Sequence, residues 1–256
     1  MNYNELYNNK IYDNGICPYL KDCNSKELKY GHTCYKAKIG KDYNNSHPKV
    51  LFVGKESPGE SSSVKYPEKI ENVRKNNRHY LGLYYTAVLL FTDEIPKDTK
   101  QDTLMEFSDL EEKYCLTNYF KCAFKEEKNS ENIHGVKTNS AMKKHCPELL
   151  VKEIEYLRPD LVIIQGKFTG KNFWNDKTGA LYRITTEGRM VYSKKDSGIT
   201  LYRYEYRDTK KPLFILWGYH PASSYFYKEG DINNLEILNE AINKFKKEFY
   251  SLQTIK

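Results

Sequence analysis

Four short, mainly apolar runs divide the chain and predict the strands of a buried sheet. They span residues 50–53, 114–121, 161–164 and 213–217. Runs that are apolar on both alternating sets of positions are typical of parallel strands covered by helices on both faces. Because segments with helical spacing separate these runs, the pattern predicts an α/β fold. We expect three α/β/α layers around a central four-stranded parallel sheet.

Apolar residues at helical spacing predict the outer layers. Helices are expected from Leu83 to Phe91, over 103–112, from Ser140 to Leu157 where Pro159 ends the helix, over 168–174 and over about 231–250. Between 180 and 210 the residues alternate around Gly-containing turns, which predicts an inserted antiparallel ribbon. We interpret 1–256 as a single domain in which 1–48 form an irregular N-terminal segment.

Polar residues lie where three of these strands end. Glu56 and Glu60 follow the first strand, Asn118 lies inside the second, and His220 follows the fourth. The carboxyl ends of parallel strands meet at one edge of a sheet, where ligands bind. The pattern therefore predicts a site at this edge. Surface-turn acids, a structural amide and a loop histidine remain the plain alternatives.

The charge of the chain favours a polyanionic partner. Its 256 residues include 41 Lys and Arg against 34 Asp and Glu, a net charge of +7. That balance favours nucleic acid as a partner, with a solvated lysine surface as the alternative. Basic residues concentrate in a polar loop over 60–79.

Neither a transmembrane helix nor a signal peptide is predicted. Apolar runs of about 18 residues, which a membrane helix requires, do not occur in the sequence. The first residues also lack the basic and then apolar pattern of a signal peptide. We expect a cytoplasmic protein without a membrane partner.

Six cysteines indicate a metal site. Disulfides are rare in cytosolic proteins, so grouped cysteines favour metal or cluster ligation. Sets of four thiolates suit either zinc or an iron–sulfur cluster. Cys115 lies in a predicted strand and is expected to be a buried hydrophobe.

Five short motifs follow one another in the match over roughly residues 15–250: Glu56-Ser57-Pro58-Gly59, Tyr80-Leu81-Gly82, Thr117 to Cys122, Leu161 to Gly166 and His220-Pro221-Ala222-Ser223. Together they resemble the uracil-DNA glycosylase superfamily, closest to its iron–sulfur family 4. Glu56-Ser57-Pro58-Gly59 is similar to the family's Glu-Ala-Pro-Gly loop, and Tyr80-Leu81-Gly82 to its Phe-Val-Gly. Thr117-Asn118-Tyr119-Phe120-Lys121-Cys122 resembles Thr-Asn-x-x-Lys-Cys. Leu161 to Gly166 resembles the family's apolar strand that ends in Gly, and His220-Pro221-Ala222-Ser223 its His-Pro-Ser motif.

The resemblance implies a monofunctional DNA glycosylase, and hence DNA as the partner. Such an enzyme flips a non-standard pyrimidine, uracil by default, and hydrolyses its N-glycosidic bond to leave an abasic site. Glu56 would position a water or stabilise the cationic sugar, with Glu60 as runner-up. Asn118 would read the base edge, and His220 would stabilise the departing anion.

Further residues would line the base pocket or contact DNA. Tyr80 would stack on the flipped base, with a core tyrosine as the alternative. The base pocket would also include Gly54, Lys55, Pro58, Gly59 and Glu60. Phosphate and duplex contacts are expected from Lys65, Arg74, Lys75, Arg78, Ser223, Ser224 and Tyr225.

For the cysteines, the resemblance implies a structural [4Fe-4S] cluster, with zinc as the alternative. Its ligands would be Cys122, Cys146 and two of the three N-terminal cysteines Cys17, Cys23 and Cys34. The protein is expected to be a monomer.

Departures from the family pattern define the other hypotheses. Lys55 separates Gly54 from Glu56, the loop between Gly59 and Tyr80 is long, and the N-terminal cysteines do not form a close pair. The long loop and the expanded ribbon suggest excision of a bulky modified cytosine from phage or other foreign DNA. The Lys55 insertion suggests a non-catalytic nucleic-acid-binding protein on the same scaffold. A zinc-stabilised hydrolase of small nucleotides is a third alternative.

Overall fold

A computed structural model describes most of the chain. The described residues are 17–23, 30–34, 37–54, 69–73, 75, 77–124, 140–166, 173, 179–194, 197–221, 223, 226–229 and 232–254.

Strands and helices alternate along the described residues. The helices are α1 (Leu20–Cys23), α2 (Arg78–Phe91), α3 (Gln101–Leu104), α4 (Ser140–Leu157) and α5 (Asn234–Gln253). The strands are β1 (Tyr30–Cys34), β2 (Lys38–Ile39), β3 (Val50–Gly54), β4 (Tyr114–Asn118), β5 (Cys122–Phe124), β6 (Leu161–Gln165), β7 (Arg189–Ser193), β8 (Thr200–Glu205), β9 (Pro212–Gly218), β10 (Lys228–Glu229) and β11 (Ile232–Asn233). Short 3-10 turns cover Tyr43–Asn45, Ile70–Asn72, Leu110–Glu112 and Ala180–Arg183.

The central sheet is larger than predicted. Within the described residues it has seven strands in the order β2-β4-β3-β6-β9-β8-β7. The inner strands β4, β3, β6 and β9 are parallel to one another, whereas β2, β8 and β7 pair antiparallel at the two sides. The antiparallel ribbon exists, but it is not a separate insertion. Its strand β8 pairs with β9 from Pro212 to Trp217, so the ribbon extends the main sheet and covers the edge of β9.

Helices cover both faces of the sheet, as the three-layer prediction requires. Leu51 and Val53 face the layer of α4, whereas Val50 and Phe52 face the layer of α2 and α5. All four residues are fully buried. This two-sided burial explains why the strand is apolar at every position instead of alternating.

Two element boundaries near the predicted site differ from the sequence pattern. Helix α2 begins at Arg78, five residues before the predicted start, because the Asn77 side chain caps it by accepting a hydrogen bond from the Tyr80 amide at 3.2 Å. Strand β4 ends at Asn118, so Asn118 lies at the carboxyl end of the strand and not inside it.

Of the other predicted helices, one is divided in two and one lies almost entirely outside the described residues. The one over 103–112 is two separate short turns, Gln101–Leu104 and Leu110–Glu112. The one over 168–174 lies outside the described residues, apart from the buried Phe173.

The N-terminal segment is attached to the main fold at several points. Strand β1 pairs with β5, and β2 adds to the main sheet beside β4. Among the helices in the described ranges, none combines the length and the apolar character that a membrane crossing needs.

Candidate active site at the carboxyl edge of the sheet

Asn118 and Gly54 lie side by side at the carboxyl ends of adjacent parallel strands. The two residues are direct partners in the β3–β4 register, and the Tyr119 amide donates to the Gly54 carbonyl at 2.8 Å. Asn118 is 3% exposed. A Cβ built on Gly54 would come within 2.8 Å of the Asn118 Oδ1. Glycine at position 54 therefore leaves the space that the Asn118 amide occupies.

His220 lies two residues beyond the end of β9, at the same edge. Its carbonyl accepts a hydrogen bond from the Ser223 amide at 2.8 Å, which closes a tight turn. β4 and β9 are separated by three strand spacings of about 4.8 Å, so the end of the strand that carries Asn118 and the end of the strand that precedes His220 lie roughly 14 Å apart at the backbone.

A second histidine, which sequence reasoning gave no role, lies directly against His220. The rings of His79 and His220 stack with their centroids 4.7 Å apart and their planes 19° from parallel. His79 belongs to the first turn of α2 and follows a run of basic residues in the sequence. Only the folded chain brings the two rings together, and we see no signal in the sequence that would have found the contact.

Tyr80 lies in the core. It is 2% exposed and stacks on Tyr84, with the ring centroids 6.2 Å apart. Burial raises the pKa of its hydroxyl to about 12. This position matches the alternative of a core tyrosine, and the stacking role of Tyr80 stays a prediction. The first turn of α2 packs inwards because the helix begins before Tyr80 and not after it.

A buried ion pair supports the end of β4 from the opposite face. Lys121 and Glu153 form a salt bridge with both side chains 0% exposed. The Lys121 ammonium donates to the Thr117 hydroxyl at 2.6 Å, and this hydroxyl donates to the Glu153 carboxylate at 2.9 Å. Thr117 directly precedes Asn118 in the strand, so this network fixes the backbone that carries the amide.

Three of the predicted cysteine ligands lie near one another. Cys17, Cys23 and Cys146 are buried. Burial, with further contributions from Cys17 and Asp22, raises the pKa of the Cys23 thiol to about 11. Burial also raises the pKa of Cys146 to about 12, with Cys23 and Cys17 adding to the shift and the Lys121 amide opposing it. These mutual effects mean that the three thiols are within electrostatic reach of one another.

The remaining two predicted ligands face each other along the backbone. Cys34 and Cys122 are direct partners where β1 pairs with β5. Their side chains lie outside the described part of the chain. Among the side chains that are described, no group of three or more Cys, His, Asp or Glu has the arrangement of a metal site. Cys115 is fully buried in β4 and behaves as the predicted hydrophobe.

A basic groove lies beside the first turn of α2. It has a volume of about 600 Å³ and is lined by Lys75, Arg78, Leu81, Thr99, Lys100, Gln101, Asp102 and Tyr227. The lining brings the predicted Lys75 and Arg78 together with Lys100, which was not predicted. Arg78 is the neighbour of His79 in the chain, so the groove adjoins the candidate site.

The first predicted loop lies outside the described residues. The predicted site residues in this loop are Lys55, Glu56, Pro58, Gly59 and Glu60. The predicted DNA contacts Lys65, Arg74, Ser224 and Tyr225 also lie outside the described residues. Within the described residues, the candidate site therefore consists of Gly54, Asn118, His79 and His220.

The fold and the position of the site define a class. It is an α/β/α protein whose candidate ligand site lies beyond the carboxyl ends of parallel strands, next to a basic groove. A family model described as the uracil DNA glycosylase superfamily matches residues 41–246, and the chain belongs to that superfamily. Members of the superfamily are in general DNA N-glycosylases. Among curated proteins, none matches the chain.

Proposed function

We propose that this protein is a monofunctional DNA glycosylase that removes a flipped, non-standard pyrimidine and leaves an abasic site. Uracil is the default base. The observation that carries the proposal is the position of Asn118 and His220. In a chain of this superfamily, one buried amide and one imidazole flank the same sheet edge.

The proposed role of Asn118 is to recognise the base. A carboxamide offers both a donor and an acceptor, which suits the edge of a pyrimidine. A buried amide without a partner is costly, so a base that fails to pair with it is rejected strongly. The fully buried pair of Lys121 and Glu153 behind the strand supports this role, because it holds the amide in one place.

The proposed role of His220 is to stabilise the departing base. Cleavage of the N-glycosidic bond leaves negative charge on the base and positive charge on the sugar. An imidazole N–H directed at the base oxygen stabilises that charge as it develops. The resemblance assigns to Glu56, with Glu60 as runner-up, the task of positioning water on the sugar side. Both carboxylates lie outside the described residues.

The absence of lyase chemistry is also part of the proposal. A lyase needs a lysine amine that can attack the sugar carbon. Lys121 lies close to Asn118 in the chain, but its ammonium is fully buried and paired with Glu153. This supports simple hydrolysis as the reaction. Lys55, which precedes Glu56 and lies outside the described residues, keeps lyase chemistry as the alternative.

We propose that the DNA backbone lies along the basic groove. Arg78, Lys75 and Lys100 line the groove, and Asp102 is the acidic residue among its lining. Phosphate contacts of this kind supply affinity without reading sequence. A strand bound in the groove would reach the sheet edge next to His79 and His220.

A cleavage panel tests the proposal. Oligonucleotides carrying uracil, other damaged pyrimidines or modified cytosines are incubated with the protein, and alkali then breaks the strand at any abasic site. We expect cleavage that depends on the modified base and on alkali. Strand breakage before alkali treatment would indicate lyase chemistry instead of simple hydrolysis. No abasic site on any substrate would refute the proposed function.

We also propose a structural metal site built from the cysteines, with a [4Fe-4S] cluster preferred and zinc as the alternative. The proposal is supported by the proximity of three buried thiols, although these described side chains do not have the arrangement of a metal site, because a bound cation would stabilise them as thiolates. Cys17, Cys23 and Cys146 would be ligands, with the fourth from Cys34 or Cys122. The cluster would join the N-terminal segment to α4.

Metal analysis of two cysteine variants tests this site. Cys146→Ala should lose iron and acid-labile sulfide, or zinc, whereas Cys115→Ala should retain them because Cys115 is a core residue of β4. A wild-type protein purified without air that contains neither iron nor zinc would contradict the proposed site.

A further inference from the structure

The turn that carries His220 packs against the first turn of α2 at more than one point. His79 stacks on His220. Gly82, about one helical turn after His79, faces Pro221 and Phe226. A Cβ on Gly82 would lie 2.7 Å from the Pro221 Cβ, so only a glycine admits the turn this closely. The helix and the turn therefore form one packed unit, in which the two imidazole rings are the polar part.

The environment of His79 is unusual for a residue that serves packing alone. Its Nδ1 is buried and has no hydrogen-bond partner among the described residues. Burial, and next the nearby His220, lowers the pKa of the ring to about 3, so the ring is neutral at physiological pH. A buried polar atom without a partner destabilises the folded protein, and an apolar side chain would avoid that cost.

We propose that His79 is a positioning residue for His220: its ring stacks on the His220 ring and fixes the plane in which His220 meets the substrate. The inference rests on the proposed function, because it concerns the histidine assigned there to the departing base. It adds a residue from α2 to a site otherwise built from strand ends.

The physical reason is the position of His220 in the chain. His220 lies in a turn beyond the end of β9, where backbone hydrogen bonds of the sheet no longer hold it. An imidazole that must donate to one base oxygen needs a fixed ring plane, since a displacement of about 1 Å can cost roughly 100-fold in rate. A flat ring 4.7 Å away restricts rotation of the His220 ring. Because His79 is neutral, it does so without placing a positive charge beside His220.

A matched pair of variants distinguishes the effect of a stacked ring at position 79 from the effect of simply filling the space there. His79→Phe keeps a flat ring, whereas His79→Leu keeps an apolar side chain of similar size without one. The first measurement is the NMR signal of the His220 ring in protein labelled with ¹³C-histidine, assigned by its loss in His220→Gln. The second is the split between kcat and KM on the DNA substrate that the wild type cleaves best.

We expect His79→Leu to shift the His220 ring signal away from its stacked position and to lower kcat about 10- to 100-fold, with KM within about threefold. His79→Phe should keep both the signal and most of kcat. Leu89→Ala, a core variant in the same helix, serves as the control for lost stability. It should lower the thermal midpoint and leave kcat per folded molecule unchanged.

Two results would overturn the inference. One is a His79→Leu protein with the wild-type His220 signal and wild-type kcat. The other is an equal loss of kcat in His79→Phe and His79→Leu, which would make the imidazole itself the essential feature and not the stack. If the wild type releases no base from any DNA, the proposed function fails, while the NMR comparison still decides whether His79 orients His220.

Discussion

Substitution of Gly54 by alanine is a sensitive probe of Asn118. The added Cβ would lie 2.8 Å from the Asn118 Oδ1, whereas ordinary contact begins at 3.4 Å. The amide must therefore retreat by about 0.6 Å. At roughly 100-fold in rate for each ångström of misplacement, we expect kcat/KM to fall at least about tenfold. The substitution adds one methyl group and changes no charge.

Stability should respond far less than activity. Glycine inside a strand costs about 0.5–1 kcal/mol relative to alanine, so the new methyl group offsets part of the strain that it causes. We expect the free energy of unfolding of Gly54→Ala to stay within about 1 kcal/mol of the wild type. Loss of activity with retained stability is the signature of a displaced amide.

Gly218→Ala is the matched control. Gly218 also lies at the carboxyl end of a parallel strand, but among the described residues a Cβ there would meet only Ile199, at 3.9 Å. Single-turnover rates of base release, measured with chemical denaturation curves for the same samples, compare the two variants. Full activity of Gly54→Ala, or an equal loss in Gly218→Ala, would refute the assignment of base recognition to the Asn118 amide.

Three further predictions concern stability and DNA binding. Lys121→Met should lower the free energy of unfolding by about 3–5 kcal/mol, because it leaves the Glu153 carboxylate buried without its partner, and the added change Glu153→Leu should recover much of the loss in urea denaturation. Lys100→Ala should reduce the slope of log K for DNA against log salt by about 0.9, as loss of one phosphate contact requires, whereas Lys247→Ala on the exposed face of α5 should not. His79→Phe should reduce the loss of stability in acid. The pKa of His79 is lowered to about 3 in the folded state, so as the pH falls below about 6.5 the unfolded wild-type chain binds a proton at this ring and the folded chain does not. The variant lacks this effect and should retain about 1–2 kcal/mol more of the free energy of unfolding than the wild type at about pH 5. An unchanged profile between pH 7 and pH 5 would contradict the buried, neutral state of this ring.

The strands of the fold followed well from the sequence because their signal is local. Continuous burial on both faces requires apolar residues at every position, and Val50–Val53 and Leu161–Ile164 satisfy this requirement. The size of the sheet was harder to predict. β8 joins it through backbone hydrogen bonds to β9, and such pairing leaves little trace in side-chain type.

The candidate site was predictable where it depends on strand ends and not where it depends on packing between distant segments. Asn118 and His220 lie at one edge because parallel strands end together. Tyr80 was expected beside them, but the cap at Asn77 starts α2 early and turns Tyr80 into the core. The contact between His79 and His220 depends on how a helix packs on a turn, which no local pattern encodes.

The most direct test of the proposed function is identification of what the protein releases from DNA. Mass spectrometry of the small molecules freed from uracil-containing and modified-cytosine DNA should detect one intact free base, matched by an equal number of abasic sites. Asn118→Ala and His220→Ala, each shown to be folded, should reduce that release at least about 100-fold. A folded wild-type protein that frees no base from any of these DNAs, or variants that release it as fast as the wild type, would contradict the assignment of glycosylase chemistry to this edge of the sheet.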